Sequence, residues 1–190
     1  GMDFFRTMYT RLGDVNVIAE DLGLMTDGVR RLVRDSGCPN MKVLQFAVDP
    51  ADVAGSNDYW PHNYNANCVA YTGTHDNETL AGWYRGLSKA AKQQIRDYLW
   101  DYHTPDNQMY KVLIALTMRS VARDCIIPVQ DYLGLGNEAR MNQPGTVGTN
   151  WRWRLVPGQV TDDLAAEMLA LVKRTGRANW DAIEKKPKKA

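Results

Sequence analysis

Four short and nearly uninterrupted apolar runs punctuate the chain: VNVIA (15–19), KVLQFAV (42–48), CVAYT (68–72) and CIIPV (125–129). Runs that do not alternate with polar residues suit strands covered on both faces, as in a parallel sheet packed with helices. The segments between them carry helical spacing. Thr26 is placed to cap a helix running to Asp35 and stopping at Gly37, with Val29, Leu32 and Val33 as its apolar stripe. Ser88 is placed to cap another, whose Ala91, Ile95, Tyr98, Leu99 and Tyr102 share a face. Residues 109 to 121 are apolar nearly all round, so that helix should be buried. A last helix follows Thr161, with Leu164, Met168, Leu171 and Val172 as its inner stripe, and MDFFRTMYTRLG (2–13) reads as one more at the start.

Strands alternating with helices argue for an α/β fold with right-handed crossovers, and no Pro, Gly or Ser linker divides the chain, so 1–190 reads as one domain. No internal repeat is present. Two long connections, 49–67 and about 130–160, lack helical periodicity; loops of that length in a compact domain are functional or disordered, and their aromatic and Asn content argues against disorder.

Composition narrows the class. The hydrophobic fraction of 44% and charged fraction of 24% are those of an ordinary soluble globular protein. A net charge of +1 gives no electrostatic case for nucleic acid, and the one basic run, EKKPKKA (184–190), reads as a frayed, solvated tail. No run approaches the roughly 18 apolar residues of a membrane span, and the start lacks signal-peptide character, so a cytoplasmic protein is expected; Gly1 ahead of Met2 reads as a residue left by tag removal. Cys38, Cys68 and Cys125 are odd in number and widely spaced, which suits reduced thiols, and Cys68 and Cys125 read as small buried hydrophobes.

The candidate chemistry collects at strand ends. In VIAEDLGLMT (17–26), Glu20 stands where an apolar strand stops and Gly23 turns the chain. Such a carboxylate is either a solvated strand end or a reactive group. The third run ends in YTGTHDNETLAGWYRG (71–86), which puts His75 and Asp76 at the same end as Glu20 if the strands are parallel, in the crevice where α/β proteins bind ligands. The competing reading makes Asp76 the N-cap of the helix starting near Glu78. His62, His75 and His103 lack metal-ligand spacing, no G-x-S-x-G elbow or P-loop occurs, and GLGNEA (134–139) matches a dinucleotide fingerprint only loosely, with Pro144 and Gly145 interrupting the helix it needs. No metal is expected.

Six blocks go further. IAEDLG (18–23), MKVLQFA (41–47), PHNY (61–64), YTGTHDNET (71–79), PVQDYLGLGNEARMN (128–142) and NWRWR (150–154) resemble, in order, the C-terminal half of the 4-alpha-glucanotransferases, the amylomaltase or disproportionating-enzyme family. The resemblance implies the C-terminal half of a (β/α)8 TIM barrel, about four parallel strands with helices, in an enzyme that moves α-1,4-glucan segments between maltooligosaccharides without a cofactor. It makes Glu20 the general acid/base, buried at the floor of a cleft, Asp76 the stabiliser of the oxocarbenium-like transition state, and His75 a hydrogen-bonding partner of the same sugar. Asp21, facing away by strand alternation, reads as structural. Asn142 resembles a substrate-contacting position, and His62 and Asn63 either line the cleft or shape their loop. Tyr59, Trp60 and Tyr64 either stack on glucose rings or pin the loop. One of Trp151 and Trp153 should pack inward.

A retaining mechanism needs a nucleophilic carboxylate about 5 Å from the acid/base. The family carries that Asp on the preceding barrel strand, and no R-x-D block stands upstream of Glu20 here. The expectation is therefore a half-barrel that is inactive alone and partners the N-terminal half of the barrel. The alternative is a catalytically inactive carbohydrate-binding or subunit-interaction fragment of the same fold.

Half a barrel leaves one sheet face and two strand edges open, and symmetric dimers are the commonest way to close such surfaces. A homodimer is expected, and light scattering on a size-exclusion column tests it. A monodisperse 21.5 kDa species at micromolar concentration would instead favour a monomer with its open face covered by its own loops or first helix.

Overall fold

The computed structural model describes residues 1–23 and 25–184; the basic end at 185–190 lies outside them. Three strands, β1 (Asn40–Val43), β2 (Cys68–Tyr71) and β3 (Asp124–Ile126), form one parallel sheet in chain order. Eight α-helices accompany them among the described residues: α1 (Met2–Leu12), α2 (Asp27–Ser36), α3 (Leu80–Gly86), α4 (Lys89–Leu99), α5 (Met109–Met118), α6 (Val129–Tyr132), α7 (Asp162–Arg174) and α8 (Trp180–Glu184).

The helix starts follow from side-chain caps. Thr26, Thr79, Ser88 and Thr161 each accept a backbone N–H three residues on, satisfying amides that a helix cannot pair internally. At the far end of α2, Gly37 takes φ +73°, a left-handed conformation that costs glycine little. The cap of α3 is Thr79, not Asp76, so the N-cap reading of Asp76 is corrected. Helix α5 ends at Met118, short of the expected Val121, and Tyr102 falls beyond the end of α4.

The strands are shorter than the apolar runs, for local reasons. After Val43 the chain tightens into a 3₁₀ turn (44–46) that drives Leu44 and Ala47 into the core, so the expected strand to Val48 stops early. Pro128 ends the last run, and Val129 begins α6 instead. The first run is no strand at all. It touches the sheet through one parallel bridge, Ala19 to Asn40, with the Ala19 amide donating to Pro39 O at 2.9 Å. A side chain makes the rest of this tie: Asp21 accepts from the Met41 amide at 2.9 Å and from Asn40 Nδ2 at 3.1 Å. The architecture is thus a three-stranded parallel α/β sheet with a fourth, bridged segment on the free side of β1.

Register assigns the faces. Cys68, Ala70 and Cys125 pack with Tyr64 and Ala122 on one side of the sheet. The main core lies between the sheet ends and the helices and is built from Leu44, Trp60, Leu80, Tyr84, Ile95, Met109 and Leu113 with their neighbours. Met41, Tyr71 and Ile126 look the other way, and Ile126 is 47% exposed. Burial pushes the Cys68 and Cys125 thiols up to about 11, which keeps both protonated and unreactive, as expected of small core hydrophobes. No helix among the described residues is long and apolar enough to cross a membrane.

Leu113 is central to this core, and its truncation leaves a cavity as well as lost contacts. Leu113→Ala is expected to cost about 2–5 kcal/mol in urea denaturation, whereas Val121→Ala at an exposed position should stay within about 0.5 kcal/mol.

Candidate functional site

At the C-terminal edge of the sheet lies a concavity of about 400 Å³. Glu20, His75 and Asp76 line it together with Ile18, Met41, Tyr71 and Ile126, so two carboxylates and an imidazole face a partly apolar surface. Glu20 gets there because the bridged segment runs parallel to β1 and Asp21 turns back onto the sheet. The structure corrects one detail: Glu20 is exposed and does not sit buried at a cleft floor.

The His75–Asp76 loop is shaped by its own polar residues. Asn77 Oδ1 accepts from the Thr74 amide and hydroxyl, both at 2.9 Å, which folds residues 74–77 into a tight turn. Gly73 lies where a Cβ would meet Gln45 Nε2 at 2.6 Å, so the close approach of this turn to Gln45 requires glycine. His75 Nε2 stands 3.3 Å from Asp76 Oδ1, and Asn142 Nδ2 donates to that same oxygen at 2.6 Å. The Asn142 amide donates to His75 O at 3.0 Å, and Arg140 Nη2 donates to Asp76 O at 2.7 Å. Trp151 packs against His75 in a tilted arrangement, ring centroids 5.0 Å apart; it is 51% exposed and holds φ +63°, a strained value for a bulky residue. Trp153 is the half-buried one of the pair.

Below the loop sits Asp131, 1% exposed. Its Oδ2 accepts from the Thr72 hydroxyl at 2.6 Å and its Oδ1 from the Leu80 amide at 2.7 Å.

Glu20, His75, Asp76 and Asn142 are thus brought together, while the residues of the 49–67 loop are not among them. Trp60, 2% exposed, stacks on Tyr98 at 4.2 Å and has no face free for a sugar ring. His62 bridges Tyr98 Oη at 3.0 Å and Gly55 O at 2.9 Å, and Asn63 Nδ2 donates to Gly55 O and Asn57 O. Tyr59 packs edge-on against Phe46, with the Lys42 ammonium 5.6 Å from its ring. These side chains pin their own loop. Among the described residues no group of three or more His, Cys, Asp or Glu is placed to hold a metal ion.

Sequence reasoning assigned no role to Asp131, Arg140 or the exposed Trp151. Asp131 had a signal: an acid two residues beyond the apolar run 125–129, beside Tyr132.

Fold and site define an α/β protein with an acid-lined cleft at the C-terminal ends of parallel strands. Residues 1–160 match the family described as 4-alpha-glucanotransferase. The chain is 43% identical over 182 residues to a 4-alpha-glucanotransferase of Thermus thermophilus, covering 93% of this chain and 36% of that protein. It is 40% identical over 178 residues to that of Clostridium butyricum, covering 93% and 35%. Among solved structures it is similar to the amylomaltase of Streptococcus agalactiae in complex with acarbose, with TM-score 0.87, 32% identity, and coverage of 94% of this chain and 35% of that one. The chain belongs to the 4-alpha-glucanotransferase family. It spans about a third of the length of these relatives.

Burial raises the Asp131 carboxyl above the usual range, against the opposing pull of the Leu80 amide and the Thr72 hydroxyl. The folded chain therefore holds this proton to higher pH than the unfolded chain, whose Asp titrates near about 3.9. Its contribution is fully present below about pH 3.9 and is lost as pH rises through the raised value. Denaturation across a pH series should show wild type losing stability relative to Asp131→Asn as pH rises above about 4, and the opposite slope would count against a buried, proton-holding Asp131.

Proposed function

We propose that this chain is the C-terminal half of the catalytic barrel of a 4-alpha-glucanotransferase, acting on maltooligosaccharides or starch-like glucans by a retaining mechanism. The observation that carries the reading is the convergence of Glu20, His75 and Asp76 on one cleft at the strand ends. Family membership gives that cleft its chemistry.

In this reading Glu20 protonates the departing glycosidic oxygen and later takes the proton from the incoming sugar hydroxyl. Its exposure here suits a group that must meet both oxygens. Asp76 lies against the charge that develops on the ring and C1, and it is held ready by Asn142 Nδ2. His75, packed against Trp151, grips a hydroxyl of the same sugar. The nucleophile that forms the glycosyl intermediate is a third carboxylate, supplied by a barrel segment outside these 190 residues. The face formed by Met41, Tyr71 and Ile126 is then the barrel interior, closed by the N-terminal half or by a second copy in a homodimer.

A second reading has its own support. Among the described residues only two that line the cleft are carboxylates, so the chain alone would bind glucan without transferring it.

Maltotriose disproportionation by the chain alone, and by the chain joined to the preceding barrel half of a relative, tests both. No transfer is expected from the chain alone, and weak maltoheptaose binding should register by calorimetry. In the joined enzyme Glu20→Gln and Asp76→Asn should each lower kcat by about 10² to 10⁴-fold with KM little changed. Longer maltooligosaccharides made by the chain alone and abolished by Glu20→Gln would overturn the half-barrel reading. Substitutions that moved only KM would overturn the assigned roles.

A further inference from the structure

A buried carboxylate is expensive to desolvate, and among the described residues Asp131 has no cationic partner. Its two acceptor bonds have a common geometry. Thr72 is the last residue before the 73–79 loop that carries His75 and Asp76, and Leu80 is the first residue of the helix that follows it. One buried side chain therefore clips the entry and the exit of the 73–79 loop. Leu80 is also anchored in the main core, whereas the stretch between the two clips is flanked by an open pocket. A cavity of about 170 Å³ lies between the loop and α6, lined by Thr74, His75, Asp131 and Arg140 among others. A loop beside an open pocket keeps its place through its ends and its polar braces.

We propose that Asp131 is a positioning residue for Asp76, fastening both ends of the loop so that the Asp76 carboxylate is held where charge develops on the sugar. The proposal rests on the reading of Asp76 as transition-state stabiliser. Thr72 takes part as the second half of the entry clip. Asp131 touches no substrate; it acts through the loop. Misplacement of a reacting group by about 1 Å can cost as much as 10²-fold in rate, so a loosened loop should appear in turnover before it appears in affinity.

The test uses the joined enzyme and maltotriose. Thr72→Val keeps the shape of the buried side chain and removes one clip, so it can be read even where Asp131→Ala fails to fold. Thr72→Val is expected to lower kcat by about tenfold to a hundredfold with KM changed less than about threefold. Asp131→Asn retains an oxygen for the Leu80 amide and an N–H for the Thr72 hydroxyl oxygen, and should recover most of the turnover lost in Asp131→Ala or, should that variant not fold, in Thr72→Val. The decisive measurement is the double-variant cycle with Asp76→Asn. If the clip acts through Asp76, adding Thr72→Val to Asp76→Asn should cost less than about threefold further. Fully additive losses, or a change confined to KM, would overturn the proposal while leaving Asp76 its role. Wild-type turnover in Asp76→Asn alone would remove the functional reading, and the proposal with it.

Discussion

Parallel pairing makes β1, β2 and β3 end on the same edge, and the rest of the molecule follows from that constraint. Each strand must hand its chain back across a face of the sheet before the next can begin. Those return segments put the bulk of the helices and the core on one side. The opposite side carries Met41, Tyr71 and Ile126 of the ladder and the bridged segment, and its end becomes the place where polar loops meet. The site is a consequence of strand direction before it is a consequence of any single residue.

The two long loops reach order by different means. The 49–67 loop ties itself: Asp52 accepts from the Ser56 and Asn57 amides, which hold its carboxyl below the usual range, and His62 and Asn63 close onto Gly55 O. The 133–154 segment instead reaches across to the His75–Asp76 turn through Arg140, Asn142 and Trp151. One loop spends its polar groups on itself. The other spends them on the site.

Local signals in the chain were readable where they are local in origin. Thr26, Ser88 and Thr161 cap the helices their positions predict, because a cap needs only a hydroxyl three residues ahead of a free amide. Strand extents were less readable, since apolar runs continue past the point where Pro128 or the turn at Leu44 redirects the backbone. The meeting of Glu20 with His75 and Asp76 followed from the parallel reading alone. The role of Trp60 did not, because stacking on a sugar and stacking on Tyr98 ask for the same flat ring, and only the position of Tyr98 separates them. Asp131 and its partners are 59 and 51 residues apart, a separation that no periodicity reports.

Glu20 and Asp21 are neighbours with the same charge and opposite duties. Asp21 holds β1 through Asn40 and Met41, and Glu20 faces the cleft because the next residue is tied down. Side chains alternate along an extended segment, so a slip of one residue would exchange them, turning the shorter acid to the cleft and the longer one to the sheet. The selection of which acid faces the cleft is thus a matter of register, made by a tether on the far side of the backbone. The length of a single methylene group separates the residue that anchors from the residue that reaches.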